Sequence, residues 1–254
     1  MSAASPQPAR YAVYIAPPPE SALWRFGSAI LGYDAESGAD MAQRVPAGID
    51  AERFRALTQD PRVYGFHATI KAPFRLSPRV SEADLLAAFA AFAARRPRFQ
   101  LPPLVLRAVG RQPGAGAFIA LVEREPTPAL AALERATVEA FEPFRAALTE
   151  AEYKKRRPER LTSQQRAYLD RYGYPYVFEE FRFHMTLTNR VPEAEVDAVM
   201  AGLATLYAEA VPPVPVTIDR LALFKQEPGT RHDGEPARFR VVAHQGFEQT
   251  VAAD

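Results

Sequence analysis

No cysteine occurs in the 254 residues, and that absence removes disulfides, thiol nucleophiles and cysteine-bound zinc or iron–sulfur centres. It suits a reducing compartment. There is one tryptophan and there are only four histidines. No apolar run is long enough to cross a bilayer, so the expectation is a soluble cytoplasmic protein with no membrane partner. Neither sign of charge dominates, since 31 Lys and Arg face 30 Asp and Glu. A protein that tracks long nucleic acid ordinarily carries a basic excess or stripe. Long nucleic acid is therefore not expected as a partner, whereas a small anionic substrate is compatible with this balance. H-E-x-x-H, G-x-S-x-G, G-x-x-x-x-G-K-[ST] and G-x-G-x-x-G are all missing, which removes the common zinc-protease, hydrolase-elbow, P-loop and dinucleotide signatures.

What is present reads as an ordinary globular chain, long enough for one large domain or two small lobes. Residues 1–9 are rich in Ser, Ala and Pro and read as a disordered tail rather than a signal peptide. Residues 10–246 read as a single bilobed domain. Tyr11 to Ala16 is aromatic and β-branched and stops at three prolines, which predicts a strand. A helix is expected from Ser21 to Leu31, closed by Gly32, followed by a loop over 33–49 and a short helix from Ala51 to Leu57.

From Gly65 to Phe74 the sequence alternates. Phe66, Ala68, Ile70, Ala72 and Phe74 fall on one side, and Gly65, His67, Thr69 and Lys71 on the other. Period two predicts a strand with one buried face. A helix capped by Ser81 and Asp84 follows, then strands at 104–109 and 117–123. The order repeats further on. Glu180 to Thr188 alternates, with Phe181, Phe183, Met185 and Leu187 apolar and Arg182, His184, Thr186 and Thr188 polar. A helix with Val196, Val199, Leu203 and Leu206 as its stripe comes next, then strands at 214–224 and 238–243. The units at about 64–123 and 180–243 therefore share one order of elements and suggest a duplication. Two such units would form an α+β structure, with two small, mainly antiparallel sheets and helices outside. Between them lie a helix at 127–141 and an insert at about 145–175, read as two helices ending near Gly173. The insert's Lys154, Lys155, Arg156, Arg157 and Arg160 form either a solvated face or a basic lid over an anionic site.

Two of the four histidines sit in matching pentads, FHATI and FHMTL, each on the polar face of its strand. Residues i and i+2 of a strand point the same way, so His67 shares a face with Thr69, and His184 with Thr186. Across a cleft, a neutral imidazole takes a proton from the attacking water and a protonated one gives a proton to the departing oxygen. Threonine hydroxyls donate to non-bridging phosphoryl oxygens, and Lys71 and Arg182 are candidates to add positive charge. The set needs no metal and no cofactor. His232 and His244 lack this context and are expected at the surface.

The paired H-x-T-x strands resemble the 2H phosphoesterase superfamily. The longer strings YAVYIAPP, YGFHATIKAPF and YPYVFEEFRFHMTLT are similar to its branch encoded with phosphonate-degradation enzymes. The resemblance implies a bilobed fold with two antiparallel sheets lining a central cleft. It implies His67 and His184 as acid and base, and Thr69 and Thr186 as phosphate-holding residues. The branch implies hydrolysis of a small cyclic phosphodiester, a ribose cyclic phosphate such as 5-phosphoribosyl 1,2-cyclic phosphate. Two alternatives stay open: an enzyme acting on RNA 2′,3′-cyclic phosphate ends, and a non-catalytic module binding nucleotides or RNA ends. The insert sets this chain apart from shorter family members, so substrate contacts there do not carry over.

Overall fold

The computed structural model of the chain describes residues 8–230, 234 and 237–248. Strand β1 (Arg10–Ile15) leads to α1 (Ala22–Leu31), which Ser21 caps at its start and Gly32 closes in the left-handed conformation. The stretch expected as loop holds a small hairpin, β2 (Tyr33–Asp34) and β3 (Ala39–Asp40). Two short helices follow, α2 (Ala51–Leu57) and α3 (Gln59–Tyr64), and then β4 (Ala68–Arg75). Helix α4 (Glu82–Ala93) begins at a full Ser81/Asp84 capping box. Next come β5 (Phe99–Leu101), β6 (Val105–Gln112), β7 (Gly116–Val122) and α5 (Pro128–Phe141). The insert supplies α6 (Glu150–Lys155) and α7 (Ser163–Tyr172), each opened by a capping box. Strand β8 (His184–Thr186), α8 (Glu193–Ala210), β9 (Val216–Ile218), β10 (Arg220–Gln226) and β11 (Phe239–Gly246) complete the order.

The fold is α+β and antiparallel throughout its main sheet, whose seven strands run β11-β10-β1-β4-β8-β7-β6. The two halves meet where β4 touches β8, through one residue pair, Ala68 with Met185. The halves also exchange parts. The hairpin β6–β7, from the first histidine unit, pairs with β8 of the second. The hairpin β10–β11, from the second unit, lies on the far side of β1 from β4. The helices follow the same exchange, with α4 on β10 and β11 and α8 on β6 and β7. The stretch expected as one strand over 214–224 is two, because Ile218 pairs with Phe99 of β5 while Arg220 onward pairs with β11.

The core follows the alternation read from the sequence. Phe66, Ala68, Ile70 and Phe74 are buried, as are Phe183, Met185 and Leu187. Strand β1 is covered on both faces, as a central strand should be: every residue from Tyr11 to Ile15 is buried. Phe66 is fully buried because its ring lies flat against the α1 backbone at Gly27, where a Cβ would sit 2.1 Å from the ring carbon Cγ. That contact holds the residue next to His67. Gly27→Ala is therefore expected to destabilise the chain by about 1–3 kcal/mol through overpacking. Denaturant unfolding checks this; an unchanged midpoint would show that Phe66 can leave α1 without cost.

Candidate active site

Antiparallel pairing of Ala68 with Met185 sets His67 across from Thr186 and Thr69 across from His184. Ala68 and Met185 both face the core, so the two histidines and two threonines share the opposite face. The histidines are diagonal neighbours there, a relation that separates Cβ atoms by roughly 7–8 Å. Each imidazole is tied in the same way to the carbonyl two residues back. His67 Nδ1 lies 2.9 Å from Gly65 O, and His184 Nδ1 lies 2.7 Å from Arg182 O. A carbonyl oxygen only accepts, so each Nδ1 carries the proton and each Nε2 is left for chemistry. His67 Nε2 is 3.1 Å from Thr69 Oγ1. Gly65 is required for this arrangement: its φ is +75°, and a Cβ would lie 2.6 Å from that of Ala35.

The cleft over this face has a volume of about 250 Å³ and includes His67, Thr69 and Thr186 in its lining. That is at the small end for small-molecule sites. Tyr14 forms its inner wall. It pairs with Thr69 in the sheet, and its ring stacks on the His67 imidazole at 3.7 Å between centroids. Burial pushes His67 down to about 4; the bond to Gly65 O opposes the shift, and the nearby His184 adds to it. His184 itself is exposed. The two imidazoles thus occupy different environments, one desolvated and one open to water.

Strand β8 is short, and the reason lies just before it. The expected strand from Glu180 begins only at His184, because residues 178–180 form a turn of 3-10 helix. Phe178 starts that turn with φ at +58°, uncommon for a bulky residue, and donates its N–H to both carboxylate oxygens of Glu134 on α5. At its far end β8 is pinned by Asn189, which donates to the carbonyls of Leu57 and Ala56 and accepts from the Asp60 N–H.

Two expected cleft cations are not there. Lys71 is buried, with Nζ 3.0 Å from Glu142 and 3.1 Å from Val138 O on the α5 side. The cause is a bulge: β1 pairs Tyr14 with Thr69 but Val13 with Lys71, so period two breaks after Thr69 and Ile70 and Lys71 are both buried. Past the bulge, Ala72 and Pro73 face the cleft instead. Arg182 points along its own turn, donating to the carbonyls of Glu179 and Phe181 at 2.7 and 2.6 Å. The cations in the cleft lining are Arg10 and Arg156. Of the insert's basic run only Arg156 reaches it, and Lys154 pairs with Glu150 in solvent. Tyr14, Tyr64, Tyr174 and Arg10 carried no sequence sign of their place, because each is brought in by a contact distant along the chain. His244 is half-buried, with Nε2 2.7 Å from the Glu36 carboxylate, and His232 lies outside the described residues.

A family model described as a protein of unknown function, DUF1045, matches residues 69–232. The chain belongs to the DUF1045 family. Two relatives bear the name ribose 1,5-bisphosphate phosphokinase PhnN. The one from Janthinobacterium sp. (strain Marseille) is 37% identical over 221 residues, 86% of this chain and 48% of that protein. The one from Laribacter hongkongensis (strain HLHK9) is 36% identical over 208 residues, 80% of this chain and 45% of that protein. The DUF1045 chain thus spans about half the length of the curated relatives it matches. Among solved structures, E. coli LigT complexed with 3′-AMP is 16% identical, covers 96% of this chain and 100% of its own, and has a TM-score of 0.41. TT0787 of Thermus thermophilus is 15% identical, covers 95% and 99%, and has a TM-score of 0.47.

The cleft of this DUF1045 chain makes a direct prediction about protonation. His67 is expected to remain the neutral Nδ1–H tautomer far below the ordinary histidine value, titrating near about 4. Because its folded value lies below the unfolded 6.5, the unfolded chain binds the proton first. His67's contribution to stability is then complete above about 6.5 and lost as pH falls through about 4. Nitrogen-15 NMR of the imidazoles reads both tautomer and titration. A His67 that protonates at or above 6.5 would contradict the desolvation imposed by Tyr14.

Proposed function

We propose that this chain is a metal-independent phosphoesterase of the 2H type, hydrolysing a small cyclic phosphodiester with His67 and His184 as base and acid. The observation that carries the reading is the matched pair of imidazoles. Both are anchored through Nδ1 to the carbonyl two residues back, and both stand beside threonines on one face of the β4–β8 seam. That anchoring leaves both Nε2 atoms to exchange protons with a substrate, so the proton transfers are assigned to the imidazoles.

In this mechanism His67, kept neutral by burial, accepts a proton at Nε2 from the attacking water. The water oxygen bonds to phosphorus as the bond to the leaving sugar oxygen breaks. His184, open to solvent, gives a proton to that oxygen. Thr69 and Thr186 donate hydrogen bonds to the non-bridging oxygens, where negative charge concentrates in the transition state. The product is a ring-opened phosphomonoester. The relatives' name specifies a ribose with two phosphates as the substrate of those proteins. That supports a ribose cyclic phosphate, such as 5-phosphoribosyl 1,2-cyclic phosphate in phosphonate degradation, as the substrate here.

The test is turnover of a panel of cyclic phosphates by the wild type and by single and double variants. His67→Ala and His184→Ala are each expected to cost on the order of 10²–10⁴ in rate. The double variant should lose much less than the product of the two, because the pair acts as a unit. Thr69→Ala and Thr186→Ala should cost less, roughly 10–10³. Activity should survive EDTA, and the acid limb of kcat/KM should fall towards the His67 value of about 4. Full activity in a folded His67→Ala protein, or metal-reversible loss in chelator, would overturn the mechanism.

A further inference from the structure

The cleft holds more recognition chemistry than one reacting phosphate uses. Beyond His67 and the threonines it is lined by Arg10, Arg156, Tyr14, Tyr64 and Tyr174. Among the described residues neither arginine forms an ion pair; both are held by neutral contacts. Arg10 donates from Nε to Gln226 Oε1 at 2.7 Å, and its guanidinium lies 5.3 Å from the Phe239 ring centre. The Arg156 guanidinium lies 5.0 Å from the ring centre of Tyr174. Aromatic faces position a guanidinium without consuming its donors, so the terminal N–H groups of both side chains stay available to a ligand. The acid in the lining, Asp60, bonds through its backbone to Asn189.

Tyr14 supplies a second, independent observation. Its side chain is completely buried in the cleft wall, and its hydroxyl has no hydrogen-bond partner. A buried hydroxyl left unpaired costs free energy, and an oxygen from water or from a ligand at the cleft wall offsets that cost. Arg10, Arg156, Tyr14, Tyr64 and Tyr174 all line this one cleft. Arg10 and Tyr14 are four residues apart on β1, hence on one face and roughly 13 Å apart along the backbone. The histidine–threonine end of the cleft is at Tyr14, and the cationic end extends from there towards Arg10.

We infer that Arg10, Arg156 and the surrounding tyrosine hydroxyls form a second anion subsite, which takes a terminal phosphate monoester on the sugar whose cyclic phosphate reacts at the histidines. This deepens the proposed function and rests on it for the identity of the reacting end. The selected substrate class is a small sugar carrying two phosphate groups. A cyclic phosphate without the second anion leaves both guanidiniums without an anionic partner and is disfavoured.

Two measurements test this together. The first compares kcat/KM for 5-phosphoribosyl 1,2-cyclic phosphate and for ribose 1,2-cyclic phosphate in the wild type, R10Q and R156Q. The wild type should prefer the first. Each variant's loss on it should exceed its loss on the second by roughly ten- to hundredfold, the worth of a charged hydrogen bond. Equal losses on the two would put the arginines on the reacting phosphate and overturn the subsite. The second measurement is calorimetric binding of ribose 5-phosphate, which has no cyclic phosphate to open. It should bind the wild type and bind R10Q and R156Q at least tenfold more weakly. If no cyclic phosphate is turned over but this pattern holds, the subsite stands and the hydrolytic reading fails. Wild-type binding that is absent, or that both variants retain, overturns the subsite. R10K and R156K, which keep the charge but lose the planar fork, stand in if a glutamine variant does not fold, and should show a smaller loss of the same pattern.

Discussion

Everything at the candidate site depends on one strand pairing, Ala68 against Met185, at the centre of a seven-stranded antiparallel sheet. Both side chains are buried, so the histidines and threonines flanking them are forced onto the other face. A slip of either strand by one residue would turn its own histidine and threonine towards the core and bring its apolar residues to the cleft. The register is protected from outside the pair. Strand β8 is held by β7 through three pairs, Ala120 with Thr186, Leu121 with Met185 and Val122 with His184. Strand β4 is held along most of its length by β1. The exchanged hairpins therefore clamp the seam from both sides, and neither histidine unit could build its half alone.

The bulge in β4 divides the labour among the cations. It sends Lys71 away from the cleft into a buried cluster with Glu142, which also accepts from Arg145; Arg145 in turn donates to Arg171 O at the end of α7. Burial lowers Lys71 from its ordinary value, and Glu142 opposes that shift. A charge that would have served an anion instead fastens the insert to the sheet. In return, the insert brings Arg156 and Tyr174 to the cleft rim. The cations left facing the cavity are held by aromatic rings and by an amide, so their charge is not cancelled before a ligand arrives.

Tyr14 links the two ends of that cavity. Its ring stacks on His67, whose burial favours the neutral imidazole, and it lines the same cleft as both arginines. In the proposed chemistry, the residue that tunes the base thus shares a cavity with the recognition end. In the proposal, base and acid are named from the difference between the buried His67 and the exposed His184, which two matching pentads do not reveal.

By itself the sequence determined what depends on neighbours within a few residues. Period-two patterning marked both histidine strands and their buried faces, and Ser81 with Asp84 marked the start of α4. The repeated Phe-His-x-Thr-aliphatic pentads singled out the two histidines that the seam brings together. Local pattern also misled in identifiable places. One bulge inverts the alternation at Lys71, and the Glu134 carboxylate replaces the start of β8 with a turn. Only the tertiary structure decided which hairpin joins which histidine strand, that Tyr14 stacks on His67, and that Arg10 and Arg156 face one cavity. The physical reason is separation along the chain. Arg10 meets Gln226 across 216 residues, and such pairings are set by the exclusion of water from the whole core, on which no short window of sequence reports.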